Sequence, residues 1–389
     1  MIAATISSVS LAIWVYLLLG RGWFWRCVET DDSVDTSGTA ARMGVTPSWP
    51  KIVAIVPARD EAHVIARSIE SLARQDYPEN LSVIVVDDQS SDGTAASAFS
   101  AAEAVGAKER VRIIAGTNVP QGWTGKLWAM HQGLGAIGAG SAPPEFVLFT
   151  DADIVYAPNV LRRLVFIARS RGTILTSLMV KLRCRSAAER WLVPAFVFYF
   201  QKLYPFAWVN DPKRPTAAAA GGCMLVKREA LISAGGLHAV RHNLIDDCAL
   251  AALMKRQGPI WLGLTEHVHS LRAYPRLADF KQTVVRSAFA QLRGSPLRLA
   301  GAIAGMATSY LAPPLFAIFG RGLAQMAGFA AWMLMALCFL PTLRLYRQAS
   351  AKGFALPVVA AAFTAFTLES AFLHWRGRGG YWKGRFQAQ

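Results

Sequence analysis

Three acidic clusters carry the most chemical potential in this 389-residue chain. Asp87-Asp88-Gln89-Ser90-Ser91-Asp92-Gly93 follows the apolar run 81–86. Asp151-Ala152-Asp153 follows the apolar run 146–150. Asp246-Asp247 lies within Leu244-Ile245-Asp246-Asp247-Cys248-Ala249-Leu250. Carboxylate oxygens suit hard cations such as Mg²⁺ or Mn²⁺, and an ion held by one or two carboxylates keeps open positions for substrate phosphates. A D-x-D pair at a strand end lets both carboxylates point into one cleft. Asp246-Asp247 falls at the start of a helical pattern, where one carboxylate can act as general base and the other can cap the helix. Each cluster also has a plain structural reading, since Asp after a strand often caps the next helix. Ala220-Gly221-Gly222-Cys223-Met224 and Ala234-Gly235-Gly236 are turns whose glycines let backbone approach a ligand closely.

These residues need strands and helices to hold them. Residues 52–57 form a short apolar run ending in Pro57, 64–74 have helical spacing, and 81–86 read as a buried strand. Residues 95–107 are helix-like, 111–115 strand-like, and 146–150 a further apolar strand. Strands alternating with helices predict an α/β fold with a mostly parallel sheet covered on both faces. Ligands in such sheets sit at the carboxyl ends of strands, where the first two acidic clusters fall.

The remainder of the chain is apolar or basic. It is 53% hydrophobic and only 17% charged, against about 25% charged in a typical soluble domain, with a net charge of +16. That argues against a disordered tail protein and an ordinary soluble enzyme, and it favours polyanions or anionic lipid as partners. Nucleic acid is disfavoured, because no binding motif occurs and much of the basic charge flanks apolar runs. Cys27, Cys184, Cys223, Cys248 and Cys338 form no C-x-x-C pair, so neither a disulfide framework nor a zinc pattern is present, and a reduced compartment is the simpler reading.

Residues 1–19 are uncharged and apolar, and a spanning helix needs about 20 such residues. A cleaved signal peptide fits worse, for want of a basic start and a small-residue cleavage site. Arg21 and Arg26 then predict that the following chain is cytoplasmic. Residues 299–320, 322–343 and 354–375 are each long enough to span, the last containing Glu369. Three crossings would put the basic tail outside, against the positive-inside rule. Two crossings keep it inside, with either the Pro313-Pro314 stretch re-entrant or the last stretch not crossing. The expected organisation is a transmembrane helix over 1–20, a linker over 21–50, a catalytic domain over 51–296, a two- or three-segment membrane region over 297–375, and a basic tail over 376–389.

Taken in order, the motifs are specific as a set. They are Val53-Ala54-Ile55-Val56-Pro57-Ala58-Arg59-Asp60-Glu61, then residues 83–88 with Gln89-Ser90-Ser91-Asp92-Gly93-Thr94. Gly125-Lys126, residues 150–153, Gly221-Gly222 and Asp246-Asp247-x-x-Leu250 complete the series. This series resembles the family 2 inverting glycosyltransferases of the GT-A fold, over about residues 51–296. Residues 192–206 resemble the hopene-associated subgroup.

The resemblance implies a GT-A, Rossmann-like nucleotide-diphospho-sugar transferase domain and a nucleotide-sugar donor, most often a UDP-sugar. Pro57, Ala58, Asp60 and Glu61 match the first nucleotide-binding loop, Asp88 the carboxylate that contacts the base, and Lys126 a basic position that offsets diphosphate charge. Gly222 belongs to the glycine turn counted with the donor site. Asp151 and Asp153 match the D-x-D pair for a Mg²⁺ or Mn²⁺ ion, with Asp153 the direct ligand and Asp151 reaching ribose or sugar. Asp247 matches the catalytic base of an E-D-x-x-L motif in which Asp246 replaces the usual Glu.

The processive Q-x-x-R-W motif is absent from Lys281-Gln282-Thr283-Val284-Val285-Arg286-Ser287, which favours transfer of a single sugar. The acceptor expected for an anchored enzyme is a membrane lipid, a hopanoid or a lipid of its pathway if the subgroup holds. A polyprenyl phosphate or glycerolipid acceptor, and a non-catalytic donor-binding membrane protein, are the alternatives. The expected location is the inner membrane, with the catalytic domain on the cytoplasmic face.

Three further features stand outside the motif set. The aromatic segment 191–208 reads as interfacial, with a buried core helix as its rival. His267 and His269 could supply a metal ligand, although histidines so spaced are more often structural. Arg272, like Arg183, Arg185, Arg241, Arg276, Arg286 and Arg293, could line the donor site or face anionic lipid, although most such arginines are surface charge, and Trp382-Lys383-Gly384-Arg385 resembles a tail motif of related lipid glycosyltransferases.

Overall fold

The computed structural model describes residues 1–33, 49–78, 81–138, 143–383 and 385–386. Half of the expected linker, residues 34–48, lies outside that set, as do Gly384 of the tail motif and residues 387–389. The chain divides into two compact units. One, the sheet unit, comprises Val28–Arg183 and Trp208–Arg272. The other, the helical unit, comprises Met1–Cys27, Cys184–Ala207 and Ala273–Gln389.

In the sheet unit, β1 (Ile52–Ala58) is buried at every position. A run apolar throughout, rather than alternating, is what a strand covered on both faces requires. It pairs in parallel with β2 (Leu81–Asp87) and β4 (Phe146–Phe149), and β2 pairs in parallel with β3 (Val111–Ala115). Ala58 is opposite Asp87, and Ile55 opposite Phe149. The loops after β1, β2 and β4 therefore leave the sheet at one end, and all three carry acidic residues.

The sheet then turns mixed. β5 (Ile154–Tyr156), β6 (Leu175–Lys181), β7 (Met224–Lys227) and β8 (Ile260–Ser270) complete the eight-stranded order β3-β2-β1-β4-β7-β6-β8-β5. β7 runs antiparallel to β4 and β6, β8 parallel to β6, and β5 antiparallel to β8. The mostly parallel sheet thus holds for β1 to β4 only. β5 and β7, of three and four residues, are too short to announce a direction in sequence.

Helices α2 (Ala62–Ala73), α3 (Thr94–Ala104), α4 (Gly125–Gly135) and α5 (Val160–Arg171) cover this sheet. In α2, Val64, Ile65, Ser68, Ile69 and Leu72 form the buried stripe that helical spacing demands. Gly133 matters for a different reason: a Cβ there would meet Ile55 Cγ2 at 2.5 Å. Glycine lets α4 lie close on β1, and α4 begins with Gly125-Lys126.

The helical unit holds α1 (Ile2–Leu19), α6 (Ala187–Leu203) and the C-terminal helices. Among the described residues, four of its helices are long and apolar enough to cross a membrane: Ile2–Leu19, Pro296–Phe319, Leu323–Leu345 and Ser350–Trp375. Pro313-Pro314 does not break the second of them. The chain passes from Pro296–Met306 through a π-helical turn at Ala307–Leu311 into Ala312–Phe319. In that wider register, the carbonyls of Thr308 and Ser309 face residues 313 and 314, which have no N–H to give. Side chains of α1 donate instead, Ser10 Oγ to Thr308 O at 2.8 Å and Trp14 Nε1 to Ser309 O at 2.6 Å. Unpaired backbone groups are costly in hydrocarbon, so these two bonds let the prolines persist.

Helix α6 opens with a capping box, Ser186 with Glu189. It buries Leu192, Val193, Ala195, Val197, Phe198 and Tyr199 inside its unit. The interfacial expectation gives way to the buried-helix alternative, because the apolar residues cover more than one face. Glu369, the charge on the last apolar helix, receives Lys281 Nζ at 2.8 and 3.0 Å.

Candidate active site

Helix α7 (Asp246–Lys255) starts at the acidic pair. Asp247 Oδ2 accepts the Gly221 backbone N–H at 3.0 Å, and Oδ1 accepts that of Cys248 at 2.7 Å. Asp247 is thus held by two backbone donors, one in the glycine turn. Lys126, on the first turn of α4, places Nζ 2.7 Å from Asp151 Oδ1 and 3.3 Å from Asp246 Oδ2. Thr124 Oγ1 accepts from Leu127 N and caps that turn. A Cβ on Gly221 would meet Lys126 Nζ at 3.0 Å and Asp247 Oδ2 at 3.5 Å, so a side chain there would crowd the charges.

Gly222 faces a different constraint. A Cβ there would meet Val180 Cγ2 at 2.4 Å, and its carbonyl accepts from Thr150 Oγ1 at 2.9 Å and Tyr156 Oη at 3.2 Å. Gly221 therefore touches the charged groups, while Gly222 fits the turn against β5 and β6.

Asp153 anchors a second network. Its Oδ2 accepts from Ser270 Oγ at 3.0 Å and Arg272 Nε at 3.1 Å, and Arg272 Nη2 reaches Glu61 Oε1 at 2.7 Å. Arg272 joins the loop after β1 to the D-x-D turn. Among the arginines that the sequence offers for the donor site or for anionic lipid, only its position two residues past the end of β8 sets Arg272 apart. Neither Asp153 Oδ1 nor Asp151 Oδ2 has a protein partner among the described residues.

The first two loops fasten to each other. Asp60 N donates to Ser90 Oγ at 3.0 Å, Ser91 N to Asp60 Oδ1 at 2.9 Å, and Glu61 N to Thr94 Oγ1 at 2.9 Å. Arg59 Nη1 donates to the Asp88 carbonyl at 2.7 Å and lies 3.8 Å from its Oδ2. Asp88 N in turn donates to Ala58 O at 2.8 Å, which ties it to the end of the strand that carries Pro57. Asp60 and Gln89 both take left-handed backbone, at φ 50° and 57°. For residues other than glycine that conformation is uncommon and needs surrounding bonds to hold it.

Electrostatics separate the groups. Burial works against the Lys126 charge, yet Asp151 and Asp246 hold its pKa well above the ordinary lysine value. Burial raises Asp151, with Lys126 opposing. Burial, and after it the Asp246 carboxylate, push Asp247 up to about 6. A carboxylate so raised is a better proton acceptor near neutrality than an exposed aspartate. Three carboxylates gathered around one ammonium leave a surplus of negative charge, which would repel a diphosphate unless a cation joined them. The unpartnered Asp151 and Asp153 oxygens are hard donors suited to Mg²⁺ or Mn²⁺. His267 does not join them: its Nε2 lies 2.9 Å from Asp32 Oδ1.

A family model described as glycosyltransferase like family 2 matches residues 50–261. Among solved structures, the mannosyltransferase PcManGT from Pyrobaculum calidifontis, in complex with GDP-Man and Mn²⁺, is similar over 94% of this chain and 98% of its own, at 21% identity and a TM-score of 0.53. That likeness shows the GT-A fold. S. aureus TarS 1–349 in complex with UDP-GlcNAc covers 85% of this chain and 92% of its own, at 16% identity and a TM-score of 0.40. No curated protein sequence matches the chain.

Proposed function

The chain belongs to glycosyltransferase family 2, and on that premise we propose that it moves one sugar, with inversion, from a nucleotide-sugar to a membrane lipid. Asp247 carries the proposal. It is raised to about 6, fixed by two backbone donors, and gathered with Lys126 and Asp151. In this reading Asp247 takes the proton from an acceptor hydroxyl, and that oxygen attacks the anomeric carbon from the face opposite the nucleotide. Lys126 offsets the charge that develops on the departing diphosphate. One displacement inverts the anomeric centre without a covalent intermediate.

Asp151 and Asp153 would hold a divalent cation, which when bound supplies Lewis-acid stabilisation of the diphosphate. Arg272 keeps Asp153 and Glu61 in register. The loop of Pro57, Ala58, Asp60 and Glu61, with Asp88, is assigned to the nucleoside, and a uridine donor follows from the family resemblance. PcManGT is described with GDP-Man, so GDP-mannose belongs among the donors tested.

The lipid acceptor rests on the four apolar helices, which suit an enzyme reaching a substrate confined to a bilayer. The 192–206 resemblance supports a hopanoid or a lipid of its pathway. Arg21 and Arg26 support an inner-membrane protein with its catalytic unit in the cytoplasm. Membranes containing the protein, given labelled UDP-glucose, UDP-galactose, UDP-N-acetylglucosamine or GDP-mannose with Mn²⁺ or Mg²⁺, should pass label to the organic phase, and Asp247→Asn should not. Mass spectrometry of the labelled lipid would separate a hopanoid from a polyprenyl phosphate or glycerolipid. Failure of the purified protein to bind any of these donors with metal would overturn the reading.

A further inference from the structure

A second set of potential ligands lies in the sheet unit, away from the acidic loops. The short strap Val28–Ser33 runs along β8: Leu264 N donates to Glu29 O at 2.7 Å, and Thr30 bridges Leu264 in parallel. It brings Asp31 and Asp32 to Thr265 and His267. One oxygen of each carboxylate and one ring nitrogen of His267 lie within 4.8 Å of one another. His267 is three residues before Ser270, the Asp153 partner, which is roughly 10 Å along a strand.

Asp31 needs an explanation. Its side chain is 0% exposed, and Oδ2 accepts from Thr265 Oγ1 at 2.9 Å. Its Oδ1 is buried with no hydrogen-bond partner. An isolated buried carboxylate oxygen is costly, and buried charges are normally paired or bound to metal. The neighbouring Arg163 and His267 spend their hydrogen bonds on Asp32 instead. Arg163 Nη1 and His267 Nε2 both go to Asp32 Oδ1, at 2.7 and 2.9 Å.

We propose that Asp31, Asp32 and His267 form a site for a divalent transition ion, Zn²⁺ being the best fit, which clasps the strap to β8. One imidazole with two carboxylates favours such an ion over Mg²⁺ or Ca²⁺, which take oxygen ligands. Zinc binds nitrogen and oxygen at about 2.0–2.2 Å, so its ligands stand at most roughly 4.4 Å apart, and the three atoms need only a small inward shift. The ion takes the place of the His267–Asp32 hydrogen bond: the Nε2 proton moves to Nδ1, or leaves to solvent from a charged ring. Arg163 stays on Asp32 and orients it, as outer partners of metal ligands do. The proposal does not depend on the transferase reading.

The full-length chain in detergent micelles provides the test. After loading with Zn²⁺ and dialysis, elemental analysis should find about one equivalent of zinc in the wild type and in Asp153→Asn, since Asp153 is not among the three ligands. Asp31→Asn and His267→Gln should each lose it. Equal zinc in all four proteins, or none in folded wild type, would overturn the proposal. Should the strap variants fail to fold, Mn²⁺-loaded Asp153→Asn decides by pulsed EPR. Coupling to an imidazole nitrogen is expected, and manganese without nitrogen coupling, or no bound manganese, would refute the site.

Discussion

In the helical unit, Glu369 sits on a long apolar helix and meets a single lysine, Lys281, at 2.8 and 3.0 Å. In the sheet unit, a single lysine, Lys126, meets Asp151 and Asp246 directly, with Asp247 beside them. The first arrangement cancels. The second leaves negative charge over, together with two carboxylate oxygens that no described residue partners. The helical unit also gives the two proline-orphaned carbonyls donors from α1. The uneven charge at the strand ends is what sets the sheet unit apart from the paired Glu369 of the helical unit.

Neutralising a charge on each side breaks this comparison most sharply. Asp247→Asn should cut transfer by about 10²–10⁴, the usual worth of a general base. Glu369→Gln should leave kcat within about twofold, because the pair holds structure and exposed ion pairs are worth about 1 kcal/mol or less. Lys126→Ala should lower kcat by about 10²–10³, the effect of removing one transition-state charge donor.

The pH profile sharpens the contrast. Asp247, raised to about 6, acts as base only when deprotonated. Transfer should therefore rise about tenfold per pH unit below that value and level off above it. The linked stability effect has the opposite sense. The folded state keeps a proton that the unfolded chain releases near 3.8, so this group's contribution is lost as pH rises from about 4 to about 6. Asp247→Asn should accordingly melt no lower than wild type at pH 7, by calorimetry or fluorescence.

Gly222→Ala drives a Cβ against Val180 and should cost about 1–3 kcal/mol, the range for overpacking, read as a lower Tm. Lys281→Ala should show the smallest change, a Tm lower by a few degrees at most, since both partners are about one-third exposed.

The acidic loops and the strands before them were legible because β1, β2 and β4 are continuous apolar runs and the carboxylates follow them directly. Lys126, Asp151, Asp246 and Asp247 were visible as residue types, but their grouping was not, since it depends on β7 turning back beside β4. Arg272 could not be singled out from the other candidate arginines because its two partners, Asp153 and Glu61, lie 119 and 211 residues away in the chain. Asp31 and Asp32 looked like linker polarity; only their docking along β8 shows that one of them is buried. In the helical unit, Pro313-Pro314 pointed to a re-entrant stretch, because the π-helical turn and its donors on α1 have no local signature.

The central claim, that Asp247 is a base and not a donor-site ligand, is tested most directly by measuring two quantities on one preparation of Asp247→Asn. Nucleotide-sugar binding with Mn²⁺ should stay within about threefold of wild type, while single-turnover transfer to lipid falls by at least about 10². Transfer at the wild-type rate, or a loss of binding as large as the loss of transfer, would contradict the account.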